Sequence, residues 1–242
     1  MNPVTPHAHP LDLTAYYTID RAELTGDLRP LADGSYSYGA QIWRGFPFLL
    51  GSTGSPNVIL LDETAIHISL GGLKANYLLF AHVVEDRLTN YQPGLADSEA
   101  DGNELGHHVS DYTLIYEDDS KVTTPIQRRF AIQQSRVGWG ASAFMALPAL
   151  GPEIFNTVTE EFTAGRPVSR EYGQGEARVD AGRDRSREHI WLYALPNPQP
   201  DKPLRELICA PVDERSLIYA ISHTQLNDHP LRGQVRQKRR LV

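Results

Sequence analysis

What most constrains this chain is the shortness of its apolar runs. Eight stand out, NVILL (57–61), AIHISL (65–70), NYLLFAHVV (76–84), DYTLIY (111–116), RRFAIQQ (128–134), HIWLYAL (189–195), ELICAPV (206–212) and SLIYAIS (216–222). None exceeds nine residues, and Gly, Pro, Asn and Asp recur between them. Runs of this length, rich in Val, Ile, Leu, Tyr and Phe, predict strands rather than helices. AIHISL alternates polar and apolar positions, as a strand with one wet face does. YEDDSK (116–121) predicts a hairpin turn into a strand near 122–126, and DERS (213–216) predicts a turn of the same kind between ELICAPV and SLIYAIS. Helical periodicity is scarce. The segment 141–164 has room for a helical turn or two, but Pro148, Gly151 and Pro152 interrupt it. Many short strands and almost no helix predict an all-β fold, an antiparallel β-sandwich of jelly-roll type.

HIWLYALPNPQPDKPL (189–204) ends a strand in an unusual way. Pro196, Pro198, Pro200 and Pro203 follow within eight residues, removing ladder donors and favouring an extended path. Pairing must stop there, so the segment reads as a passage from one sheet to the other before a new strand begins at Glu206.

Size and composition narrow the function. The 242 residues are enough for one large domain with a substantial core. We divide them into an extended N-terminal lead (1–32), a β-sandwich domain (33–225) and a basic C-terminal arm or linker (226–242). No apolar run approaches the roughly 20 residues of a membrane helix, and the N-terminus does not read as a secretory leader, so a cytoplasmic protein that does not engage membranes is expected. Residues 1–120 hold 17 acidic and 5 basic side chains, whereas 121–242 hold 13 and 18. The tail carries Arg232, Arg236, Lys238, Arg239 and Arg240, but the body lacks the basic surface of a nucleic-acid binder, and that class is set aside. The single cysteine, Cys209, lies in an apolar run and reads as a buried, inert thiol.

No catalytic set is legible. GSTGS (51–55) is a turn without the strand–GxSxG–helix context of a hydrolase elbow. The neighbouring carboxylates Glu160–Glu161 and Asp118–Asp119 point to opposite faces or into water. RVGWG (136–140) lacks the lysine and spacing of a phosphate loop. Of nine histidines, His7 with His9 and His107 with His108 are closest in sequence, but neither pair has metal-motif spacing. His67, His82, His189 and His223 fall in or beside strands, where a hydrogen-bonded structural role is the ordinary one. Strand pairing can still bring distant histidines together. In DSEADGNELGHH, Asp97, Glu99 and Asp101 alternate as oxygen ligands before Gly102, like the first half of a calcium loop, although His108 stands where the closing carboxylate belongs. A structural calcium ion is therefore weighed against a solvated acidic loop; no other cofactor is expected. Trp43, Trp139 and Tyr38 sit in Gly-flanked positions where an exposed ring could stack on a sugar, against core filling as the plainer role.

The order of segments also resembles a family. Phe46–Phe48, Lys74–Ala75 with Leu79–His82, Tyr112 with Tyr116–Ser120, and Trp191 with Asn197, Pro198, Pro200 and Lys202 match a pattern spanning about residues 33–225. It resembles the galactose-binding-like β-sandwich accessory module that stands beside catalytic domains of bacterial glycosidases and PHP-type metallohydrolases such as carbaryl hydrolase-like enzymes. The sequence departs from the pattern at Asp119, where glycine is usual, and in an acidic insertion at 95–106. The resemblance implies a non-catalytic module that packs against, orients or oligomerises a hydrolase domain in cis or trans, with homo-oligomerisation expected. Two alternatives stay open: a carbohydrate-binding module using exposed aromatics, and a metal-dependent hydrolase in its own right.

Overall fold

A computed structural model describes residues 7–31, 38–86, 105–135, 142–149 and 190–231. Its strands, in chain order, are β1 (Ala8–Pro10), β2 (Gly39–Trp43), β3 (Phe46–Leu50), β4 (Ile59–Leu61), β5 (Ile66–Leu73), β6 (Tyr77–Val84), β7 (His108–Tyr116), β8 (Lys121–Gln127), β9 (Leu147–Pro148), β10 (Trp191–Pro196), β11 (Leu204–Pro211) and β12 (Ser216–Thr224). Two short 3₁₀ turns, Arg21–Glu23 and Gly26–Leu31, are the only helical elements among the described residues.

The strands form two packed antiparallel sheets, as a β-sandwich requires. One runs β1-β12-β6-β10-β9, with β4 also pairing β12; the other runs β5-β11-β7-β8. The jelly-roll expectation is narrower than this strand order establishes. Phe80 on β6 stacks on Tyr112 of β7 at 4.4 Å between ring centres, which fixes the inner faces. Alternation then turns Leu78, Phe80 and His82 inwards, and Leu79, Ala81 and Val83 outwards.

Yet the outward residues of β6 are also fully buried. A third layer covers them. The β2–β3 hairpin lies against β12, where Ser222 donates its hydroxyl to the Pro47 carbonyl. The N-terminal segment adds buried Leu13, Leu24, Leu28 and Leu31 to the same core. A strand buried on both faces needs a nearly unbroken apolar sequence, and YLLFAHVV is one. By contrast, β5 keeps the alternating pattern of a sheet with one wet face.

The proline-rich passage is confirmed as a crossover, because β10 belongs to the first sheet and β11 to the second. DERS is a second crossover rather than a hairpin, since β11 and β12 lie in different sheets. RRFAIQQ is not a strand. After Gln127 the chain folds back on itself: the amides of Phe130 and Ala131 both reach the Gln127 carbonyl, and Arg129 takes a φ of 65°. Of the segment 1–32, the described residues 7–31 pack on the sandwich rather than standing apart as a lead, because β1 pairs with β12 and Asp20 and Arg21 bind Asn57. Nor does residue 225 end the packed body, as Leu226 and Leu231 also join the core. Of 141–164, residues 142–149 are described and contain the short strand β9 but no helix.

Candidate functional site

The densest polar cluster is built around Arg128, where the chain turns back after β8. Its guanidinium is fully buried and all five N–H groups are used. Nε donates to Glu214 Oε2 at 3.0 Å, and Nη2 donates to Glu214 Oε1 at 2.7 Å and to the Glu85 carbonyl at 2.9 Å. Nη1 donates to Gln134 Oε1 at 2.8 Å and, more distantly, to Gln133 Oε1 at 3.4 Å. This forked pairing with Glu214 is the geometry in which a buried arginine–carboxylate pair is tolerated.

The cluster joins both sheets to the connecting segments. Glu85, just past β6, binds Arg215 through Nε at 2.8 Å and through its backbone amide at 3.0 Å. Asp86 accepts the Ser135 amide at 3.1 Å, and Trp191 Nε1 donates to the Gln134 carbonyl at 2.9 Å. His107 holds Asp213 through Nε2 at 2.6 Å, with Glu214 3.9 Å from the same nitrogen. His108 turns instead to Asp111 at 2.8 Å. The two histidines adjacent in sequence therefore do not act as one ligand pair.

The segments that adjoin this polar centre also carry large apolar side chains. Phe144 and Met145 hydrogen-bond through their amides to Arg129 and Phe130, and the Phe130 and Phe144 rings lie 5.6 Å apart. The Arg129 guanidinium sits 5.3 Å from the centre of the Phe144 ring. Gly106, whose amide donates to the Arg128 carbonyl, packs against Phe130. Large apolar side chains here face solvent: Leu105 is 60% exposed, Val212 50%, Phe144 49% and Met145 43%. None has the charge or amphipathic tip that normally keeps so large a side chain on a surface.

Between the sheets lies a second buried polar group. His82 Nε2 is 3.0 Å from the Ala131 carbonyl and Nδ1 is 2.9 Å from Tyr112 Oη. A carbonyl only accepts, so Nε2 carries the proton and the unprotonated Nδ1 accepts from the tyrosine. Burial holds His82 well below the usual histidine range, at about 4, and pushes the Tyr112 phenol well above its own. Both are neutral framework groups. Cys209, opposite Tyr112 on β11, is buried, and desolvation raises its thiol far above ordinary thiol values, which fits an inert role.

The sequence-predicted site residues fare differently. Trp43 is buried, its ring 5.4 Å from Phe48 in the hairpin, so it offers no open stacking face. Tyr38 is half-buried beneath the Arg21 guanidinium, 4.1 Å from its ring centre. Trp139, His189, Glu160, Glu161 and the candidate calcium ligands Asp97, Glu99 and Asp101 lie outside the described residues. Asp118 and Asp119 part company, Asp118 taking Lys202 and Asp119 taking Arg205, each at 2.5 Å. Sequence reasoning missed the Arg128–Glu214 cluster. Only a charged residue flanking a turn signal could have flagged it, and 86 residues separate the partners.

Of the residues that carry the family resemblance, Ala75, Tyr116, Asp118, Ser120, Asn197 and Lys202 meet in one place. Asn197 accepts the Tyr116 hydroxyl at 2.6 Å and the Gln199 amide at 3.0 Å, and donates to the Ala75 carbonyl at 2.8 Å. Lys202 reaches Asp118 and Ser120 of the β7–β8 turn. They clamp the crossover to the hairpin. Comparison of the chain with protein families, curated proteins and solved structures finds no match to any of the three.

Proposed function

We propose that this chain is a non-catalytic β-sandwich module that docks on a hydrolase catalytic domain, in cis or in trans, and holds it in place. The observation that carries this reading is the solvent exposure of the large apolar side chains Leu105, Phe144, Met145 and Val212, on segments that adjoin the buried Arg128–Glu214 pair. Exposed apolar side chains close in sequence to a polar pair such as His107–Asp213 are the kind of surface that a partner covers. The clamp formed by Asn197, Tyr116 and Lys202 supports the same reading, because the residues of the resembled module here serve architecture. Sugar binding gains no support from Trp43, which is buried.

The test begins with the gene. A hydrolase encoded in frame with this chain, or beside it, is produced separately and titrated against it by calorimetry. Saturable binding that weakens at least tenfold in the Phe144→Ser, Met145→Ser double variant, with an unchanged melting temperature, is expected. A locus without a hydrolase, or binding indifferent to the double variant, overturns the reading.

A further inference from the structure

Two histidines meet on the β1 edge of the six-stranded sheet, away from the Arg128 cluster. β1 and β12 pair so that His9 stands directly opposite His223. Leu11, two residues on, donates its amide to the Ile221 carbonyl, which fixes the register and puts both histidines on one face. Their ring centres are 5.5 Å apart, with the planes inclined at 40°. His9 is exposed, His223 is half-buried, and His223 Nδ1 is buried without a hydrogen-bond partner. An imidazole nitrogen shut away from water without a partner is costly unless something coordinates it or it rearranges.

The ring separation can be compared with that of two imidazoles on one ion. A Zn–N bond of about 2.0–2.1 Å, extended by roughly 1.1–1.2 Å from nitrogen to ring centre, puts each centre about 3.2 Å from the metal. At a tetrahedral angle the two centres are then about 5.2 Å apart, close to the spacing observed. We infer that His9 and His223 form a cross-strand site for a transition-metal dication of borderline softness, zinc above all, that pins the N-terminal strand to β12. Imidazole is the ligand such ions prefer over the hard, oxygen-seeking calcium and magnesium. Among the described residues no three His, Cys, Asp or Glu side chains are grouped to hold a metal. The described residues thus supply two ligands here, and the exposed His9 side is where water can complete the shell.

The site is independent of the docking reading and is tested on the full chain with the metal alone. Calorimetric titration with zinc chloride, repeated with nickel chloride, is expected to show one saturable site per chain. His9→Gln and His223→Gln should each weaken zinc binding at least tenfold, while His67→Gln, on another strand, leaves it unchanged. Zinc should also raise the melting temperature of the native chain and fail to do so in His9→Gln. His9 is exposed, so its replacement leaves the fold intact and decides the matter even if the His223 variant does not fold. The absence of a saturable site, or less than tenfold weakening on replacing His9, overturns the inference.

Discussion

A single buried imidazole governs how this fold meets acid. His82 accepts from Tyr112 and donates to Ala131 as a neutral ring, and protonating Nδ1 would set a charge between the sheets against a hydroxyl hydrogen. Its native pKa is lowered to about 4, while an unfolded histidine titrates near 6.5. Between those values the unfolded chain binds the extra proton, so stability falls as pH drops through that window and is fully present above it. The contribution is about 3 kcal/mol over the whole window. Urea melts at pH 7 and pH 4.5 should show this loss in the native chain. In His82→Gln, whose amide can donate to Ala131 and accept from Tyr112 without titrating, the loss should shrink by most of that amount. Equal losses in the two proteins would refute the assignment. At the same scale, Asp119, where the resembled pattern has glycine, takes a φ of 63°, the left-handed conformation that glycine tolerates best.

At the scale of elements, the strands were legible and some of their connections were not. Seven of the eight apolar runs became strands because length and β-branched or aromatic content are local properties. RRFAIQQ failed because its first arginine is drawn into a buried ion pair with Glu214, a distant residue invisible to local pattern. DERS failed for a related reason: a turn signal marks a change of direction, not which sheet the next strand will join. The proline series was informative because four prolines forbid continued pairing whatever the tertiary context. What fixes that crossover, however, is Asn197, which satisfies the Tyr116 hydroxyl, the Ala75 carbonyl and the Gln199 amide together. Asn197→Ala strands these groups and should cost about 2–4 kcal/mol in chemical denaturation. Tyr116→Phe alone should cost about 1 kcal/mol. In a double-mutant cycle the two losses should be clearly less than additive, since both remove the same bond. Full additivity would mean that the clamp does not act as a unit.

At the scale of the whole molecule, layering was the property the sequence concealed. A two-sheet sandwich needs only one buried face per sheet, but β6 and β12 are buried on both faces. The full apolar run of β6 records that double burial without revealing what supplies the second cover. The cover is partly the β2–β3 hairpin and partly the N-terminal segment, whose Asp20 side chain accepts from Asn57 and from the Ala22 and Gly54 amides. Gly51 makes this docking possible, because a Cβ there would stand 2.5 Å from the Asn57 backbone. A boundary drawn before residue 33 therefore cuts through the core. Removing residues 1–32 strips away Leu13, Leu24, Leu28 and Leu31, each worth about 1.5–3 kcal/mol when fully buried, and leaves β12 with an open edge where β1 had paired. These losses together rival the net stability of a typical domain. The truncated chain should lack a cooperative melt and collect in the insoluble fraction. A soluble truncation lacking residues 1–32 that melts cooperatively near the native temperature would show that the N-terminal segment is an accessory after all, and that the outer face of the central sheet is covered by something else.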